Sequence, residues 1–233
     1  MDTTVDIKEK KMKKMKKSVM LVGVLLLSFS LVAQSFAAEK LIVLPKPEIT
    51  KGKPLMQALS LRQSVRDFSD TEISGQELSN LLWAANGVNR ADQNGRTAPS
   101  ACNLQEVDIY VARADGLFLY VYKEHALQKM LDKDIRKYAG MQRFTKEAPI
   151  DLIYVVDYAK MKHPIMNAKA KEFYAATDTG FVSQNVYLYC ASEGLATVVL
   201  GWINKDKLHK KMELNENQVV ILSQPVGYPK DEE

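Results

Sequence analysis

The chain has 233 residues, with 32 lysines and arginines against 28 acids and a formal charge of +4. That excess belongs to residues 1–37, which hold seven lysines (Lys8, Lys10, Lys11, Lys13, Lys14, Lys16, Lys17) and three acids (Asp2, Asp6, Glu9), so the rest carries 25 of each. A balanced remainder has no electrostatic footprint for nucleic acid or an anionic membrane, and neither is expected as a partner.

Residues 1–37 read as a secretory signal. A basic start precedes a mostly apolar stretch of 14 residues, Val19 to Val32, and Ser35-Phe36-Ala37 supplies the small residues of a cleavage site. The apolar stretch falls short of the roughly 20 residues that span a membrane. Cleavage after Ala37, export to the periplasm or beyond, and no stable membrane insertion afterwards are expected. About 196 residues then remain, enough for one domain with a substantial core.

Residues 38–53 contain Pro45, Pro47 and Gly52 and read as an extended arm with no core of its own. The main domain spans 54–233. Pro54 opens a helix over Leu55 to Gln63, and Arg62, Ser64 and Arg66 fall where it ends and the chain straightens. Ser74 and Glu77 form a capping box, and Leu78, Leu81, Leu82 and Ala85 recur behind it at helical spacing. Residues 86–96 are polar, with Gly87 and Gly95, and read as a mobile loop. Val107–Val111 and Leu117–Tyr122, joined by Ala114-Asp115-Gly116, give a hairpin. Helical stretches are expected over 124–139, with Gln142 and Arg143 in a connector.

Ile150–Val156 is the continuous apolar stretch of a strand covered on both faces. After an exposed loop at 160–168, the longest helix runs from about Lys169 to Glu193 and stops at Gly194. Its Ala176, Gly180 and Ser183 keep one side narrow, for a subunit interface or for internal packing. Ala196–Ile203 reads as a strand, Lys205–Met212 as a helix and Val219–Leu222 as a last strand. The sum is a mixed α/β or α+β sheet packed by helices. Cys190 sits in an apolar helical segment and Cys102 in a polar one, which favours two free thiols over a disulfide.

The usual catalytic signatures are missing. There is no Gly-x-Gly-x-x-Gly, no P-loop and no Gly-x-Ser-x-Gly elbow. His125, His163 and His209 stand apart without metal-ligand spacing, so no metal site is expected. Two guanidiniums and a hydroxyl at Arg62, Ser64 and Arg66 suit a phosphate. Pro99-Ser100-x-x-Asn103-x-Gln105 offers amides and a hydroxyl to a polyol or a heteroaromatic ring edge. With no nucleophile, base or metal cluster beside them, a bound cofactor is expected to carry the reaction. Plainer readings stay open for each: Arg62 and Arg66 pairing with Asp67 or Asp70, Asn103 and Gln105 bracing a turn, Gly201 marking a strand bulge.

The ordered series of motifs resembles the nitroreductase family of flavoproteins. It runs from Arg62-x-Ser64-x-Arg66-x-Phe68 through Ile73-Ser74-x-x-Glu77-Leu78-x-x-Leu81-Leu82, Pro99-Ser100-x-x-Asn103-x-Gln105 and Ala148-Pro149. It closes with Gly194-Leu195, Gly201 and Pro225-Val226-Gly227-Tyr228-Pro229. The compact form is similar to the small branch that includes the dehydrogenases of azoline-forming peptide pathways. The resemblance implies an α+β nitroreductase-like fold with a mixed central sheet, a long central helix and an intertwined homodimer holding FMN at its interface. By position, Arg62, Ser64 and Arg66 would hold the FMN phosphate, ribityl chain and ring edge. Pro99, Ser100, Asn103 and Gln105 would approach from the other subunit. Leu200 and Gly201 would set backbone N–H groups beside the isoalloxazine, with Gln142 near the ring and Lys230 near the phosphate. The activity implied is two-electron transfer from a donor such as NAD(P)H to a small organic acceptor. Oxidation of a peptide or small molecule, and flavin binding without catalysis, are the alternatives. Two departures stand out: Glu106 where many relatives have proline, and Leu200 where some carry glutamate.

Overall fold

A computed structural model describes residues 41–230. The segment read as a secretory signal and the start of the arm lie outside the described residues. Four helices and two sheets make up the described chain. In order they are β1 (Ile42–Val43), α1 (Leu55–Leu61), α2 (Gly75–Asn86), β2 (Val88–Arg90), β3 (Gly95–Arg96), β4 (Val107–Arg113), β5 (Gly116–Val121) and β6 (Ala126–Leu131). Then come β7 (Ile150–Asp157), α3 (Ala168–Glu193), β8 (Ala196–Thr197), α4 (Lys205–Met212) and β9 (Gln218–Gly227). This is the expected α+β class.

Seven strands form the main sheet in the order β1-β6-β5-β4-β7-β9-β8, and every pairing in it is antiparallel. What is mixed here is helix with sheet, not strand direction. The central strands β4 and β7 are buried on both faces. Ile109, Val111, Leu152, Tyr154 and Val156 pack on one side under Leu78, Leu81 and Leu82 of α2 and Val182 and Val186 of α3. Tyr110, Ala112, Ile153 and Val155 face the other side, under Leu208 and Met212 of α4. Alternate side chains of a strand point to opposite faces, so covering both faces yields the continuous apolar stretch seen at 150–156. Each fully buried leucine contributes about 1.5–3 kcal/mol.

The local signals for α2 and α3 hold. Ser74 Oγ accepts from Glu77 N–H and Glu77 answers at Ser74 N, the reciprocal cap read from the sequence. The N-cap Asn167 side chain accepts from Ala170 N–H, and Gly194 ends α3 in the left-handed region at φ 76°. Helix α1 stops at Leu61, two residues short of the expected end.

Elsewhere the structure corrects the sequence reading. Residues 124–139 form no α-helix. They turn at His125 and return as β6, paired with β5 and β1, and the short 3-10 turn Arg136–Tyr138 follows. His125 holds that turn at φ 46°, its ring bonded to Tyr120 Oη at 2.8 Å and Ser79 Oγ at 2.7 Å. Long-range pairing overrode the helical propensity of the charged residues there. The arm is tied down: β1 forms a sheet edge, Leu44 enters the core, and Lys53 N–H reaches Ser192 Oγ at 2.7 Å. The polar segment after α2 forms the small β2–β3 pair, with Arg96 buried against the Tyr122 ring at 3.3 Å. The strand expected over 196–203 is only two residues long, with a single further bridge at Leu200–Ser223. Strand β9 outruns its expected 219–222 because it pairs with β7 from Ile150 to Asp157. Cys102 and Cys190 are both free, and burial pushes the Cys190 thiol well up.

Candidate functional site

Seven of the eleven candidate residues come together around one small apolar cluster. Phe68, Ala148, Ala196, Val198 and Leu200 pack there with Val65 and Phe144. It joins three segments: the stretch after α1, the chain after β8 and the connector before β7. Backbone bonds fix their order, with Val65 N–H on Thr197 O at 3.0 Å and Ser69 N–H on Tyr228 O at 2.9 Å. Lys230 N–H meets Asp67 O at 3.3 Å, so Arg62, Ser64, Arg66 and Lys230 lie on neighbouring strips of chain.

Tyr187 of α3 anchors this group. Its hydroxyl accepts Val199 N–H at 2.8 Å and shares a hydrogen bond with Ser64 Oγ at 2.9 Å. The Arg62 guanidinium stands 5.5 Å from the centre of the same ring. Arg62, Arg66 and Lys230 are exposed, and among the described residues none of the three forms an ion pair. The pairing of either arginine with Asp67 or Asp70, left open by the sequence, is therefore absent there.

Gln142 and Leu200 meet at Gly140. A Cβ on Gly140 would lie 2.8 Å from Leu200 Cδ1 and 2.9 Å from Gln142 Oε1, so the two side chains close over the glycine and would have to shift for any larger residue. Met141 N–H bonds Trp202 O at 3.1 Å across the same junction. Gln142 Oε1 is buried and receives no hydrogen bond among the described residues. Leu200 corrects an expectation: its N–H is bound to Ser223 O at 2.8 Å and its C=O takes Ser223 N–H, so its amide has nothing to offer a ligand. Gly201 next to it is exposed, and a Cβ there would meet only Leu222 at 3.7 Å.

Pro99, Ser100, Asn103 and Gln105 form a second group, and no hydrogen bond among the described residues joins it to the first. Ser100 Oγ accepts Gln105 N–H at 2.9 Å, while Gln105 Nε2 donates to Asn94 O at 2.5 Å and Asn103 Oδ1 at 3.0 Å. These are the bracing contacts of a turn. Cys102, Asn103 and Gln105 all have φ between 52° and 54°, in the left-handed region that side chains avoid. The turn is held against α3 by Asp178 Oδ2, which accepts Ala101 N–H at 2.8 Å. Asp178 and Tyr187 are nine residues apart, about 13 Å along the helix axis, so α3 carries both groups.

Directly after the turn, Glu106 is fully buried, and burial first and then the neighbouring Asp178 carboxyl push its carboxyl up to about 8. Tyr187, Asp178 and Gly140 escaped the sequence reading. Two of them are single positions on a helix face, and nothing local marks them.

The Nitroreductase family model matches residues 59–228. A protein of Methanocaldococcus jannaschii that carries a nitroreductase name is 30% identical over 192 residues, covering 78% of this chain and 93% of its own. A crystal structure from Ralstonia eutropha JMP134, described as a nitroreductase, is 42% identical with a TM-score of 0.79 over 84% of this chain and 92% of that one. The FMN reductase [NAD(P)H] of Bacillus subtilis is 22% identical over 189 residues, 76% of this chain and 66% of its own. The chain belongs to the nitroreductase family. It is an oxidoreductase.

Proposed function

We propose that this chain is an exported FMN-dependent oxidoreductase that moves two electrons between a donor, NAD(P)H, and a small organic acceptor. The observation that carries this reading is the donor-rich face of Arg62, Arg66 and Lys230 around Ser64, without ion pairs among the described residues. Beside it lie Gln142 Oε1, which receives no hydrogen bond among the described residues, and the open Gly201. Three exposed cations and a hydroxyl fit a phosphate, and a buried carbonyl without a donor among the described residues fits a ring N–H. The residues present therefore fit FMN.

When bound, FMN supplies hydride chemistry that no side chain of this site can. The chain's own work is to bind, orient and exclude water. Arg62, Arg66 and Lys230 would balance the phosphate charge. Ser64, held by Tyr187, would meet the ribityl chain, and Gln142 and Gly201 would meet the ring. The turn at Pro99, Ser100, Asn103 and Gln105 would close on the flavin of a second copy. Exposed Leu55, Met56 and Leu59 on α1 and Phe173 and Phe181 on α3 support that homodimer, being apolar side chains left without cover. The compact chain supports placing it in the small branch with the azoline-pathway dehydrogenases. The signal-like residues 1–37 support export to the periplasm.

The test is an absorbance spectrum of the protein from Ala38 onward with FMN, then with NADH and NADPH. Flavin bands that stay with the protein and bleach on adding a nicotinamide are expected. Absence of bound flavin refutes the assignment, and bound flavin that resists both nicotinamides refutes the donor.

A further inference from the structure

Glu106 is a buried acid in an unusual setting. Its side chain has no exposed surface, and neither carboxyl oxygen receives an N–H or O–H bond from another described residue. The group within hydrogen-bonding reach is another carboxyl, Asp178 of α3. Two carboxylates cannot hydrogen-bond each other; a carboxylic acid and a carboxylate can. Asp178 already accepts Ala101 N–H through Oδ2, so it is the natural acceptor and Glu106 the natural donor.

Charges on the surrounding elements do not offer Glu106 a better partner. Lys160, from the segment after β7, favours the ionised form, but its Nζ is bound to both oxygens of Asp108 on β4 at 2.6 Å. Arg96 of β3 points its Nη1 to Val107 O and lies on the Tyr122 ring. Asp157, whose N–H bonds the Glu106 carbonyl, brings a further acid.

We propose that Glu106 is a positioning residue: protonated, it donates its O–H to Asp178, and the carboxyl pair clamps the Ser100–Gln105 turn against α3 in the left-handed conformation that meets the flavin. This rests on the flavin reading above. Asp178 holds Ala101 at the start of the turn, and Glu106 follows Gln105 at its end, so one proton ties both ends of the turn to one helix. Loss of that proton to solvent places two adjacent negative charges in the interior, and the turn separates from α3 to relieve them. The clamp therefore opens as pH rises through about 8.

Two measurements test this on the whole protein. The first is amide exchange at Ala101–Gln105, corrected for the intrinsic pH dependence, which needs no flavin. Protection should be lost as pH rises past about 8 in the wild type and be independent of pH in Glu106→Gln, whose amide donates to Asp178 in every condition. The second is FMN affinity by fluorescence titration. From about pH 7 to about pH 9 the wild type should weaken about tenfold more than Glu106→Gln. Equal pH profiles in the two proteins overturn the proposal, as does protection at Ala101 that is unchanged across the range in the wild type. Should FMN fail to bind at any pH, the flavin reading falls, and with it the role of the turn, while the exchange profile still shows whether the carboxyl clamp exists. Should Glu106→Gln fail to fold, the wild-type exchange profile alone decides.

Discussion

The segment from Arg62 to Arg66 and the turn from Ser100 to Gln105 flank the same helix, yet they dispose of their polar groups in opposite ways. The first turns two guanidiniums and a hydroxyl outward, with Ser64 held by one tyrosine hydroxyl and the arginines without ion pairs among the described residues. The second turns nearly all its polar atoms inward, on itself, Asn94 and Asp178, and keeps three residues in a disfavoured backbone region. Such strain costs on the order of 1–3 kcal/mol per residue and persists only where surrounding contacts over-determine it. One half thus has binding capacity to spare at little structural cost, and the other has its shape fixed before any ligand arrives. A mutation in the first should register in ligand affinity, and one in the second in stability and pH response.

The sharpest way to break that contrast is the double change Arg62→Ala and Arg66→Ala. Each charge-assisted contact with a phosphate is worth about 1.5–3 kcal/mol, so FMN affinity should fall by about 100-fold or more. Stability should move by less than about 0.5 kcal/mol, as for exposed residues generally. A large drop in the unfolding midpoint with intact FMN binding would reverse the roles assigned to the two halves.

The carboxyl pair gives the next effect. The folded Glu106 carboxyl lies at about 8, above the usual 4.5, so the folded state holds a proton that the unfolded chain releases earlier. Glu106 therefore makes stability fall as pH rises from about 4.5 to about 8 and level off above, with a slope of at most about 1.4 kcal/mol per pH unit. Denaturant unfolding of wild type and Glu106→Gln across that range measures it. A difference between them that does not change with pH would show that Glu106 is charged throughout.

The smallest effect is expected from Tyr187→Phe, which belongs to the first half but is buried. It removes the acceptor of Val199 N–H and the hydroxyl partner of Ser64, each bond worth about 0.5–1.5 kcal/mol, so stability should drop by about 1–3 kcal/mol. FMN affinity should fall only modestly, because the arginines remain. Unfolding curves and FMN titration on the same sample separate the two contributions.

What the sequence disclosed was whatever depends on neighbours in the chain. The Ser74/Glu77 cap, the glycine stop at Gly194 and the apolar stretch Ile150–Val156 each act within a turn or a strand. The 124–139 segment was misread because its identity as β6 depends on β5 and β1, one of them some 80 residues away. The site divides in the same manner. The alternation Arg62, Ser64, Arg66 was legible as a cluster of exposed donors, and the motif at Pro99–Gln105 as a polar turn. That Gln105 braces the turn internally, that the Leu200 amide is already used, and that Glu106 faces a second acid all follow from packing. Such contacts have no signature in local spacing.

The two outermost strands of the main sheet, β1 and β8, are each two residues long. Each covers only part of its neighbour: β1 pairs with Ala126 and Leu127 of the six-residue β6, and β8 with Val226 and Gly227 of the ten-residue β9. Short outer strands limit strand addition at a sheet margin, and they do so here over two residues at each edge. The helical faces differ from those margins in offering apolar surface, with Leu55, Met56 and Leu59 of α1 and Phe173 and Phe181 of α3 exposed.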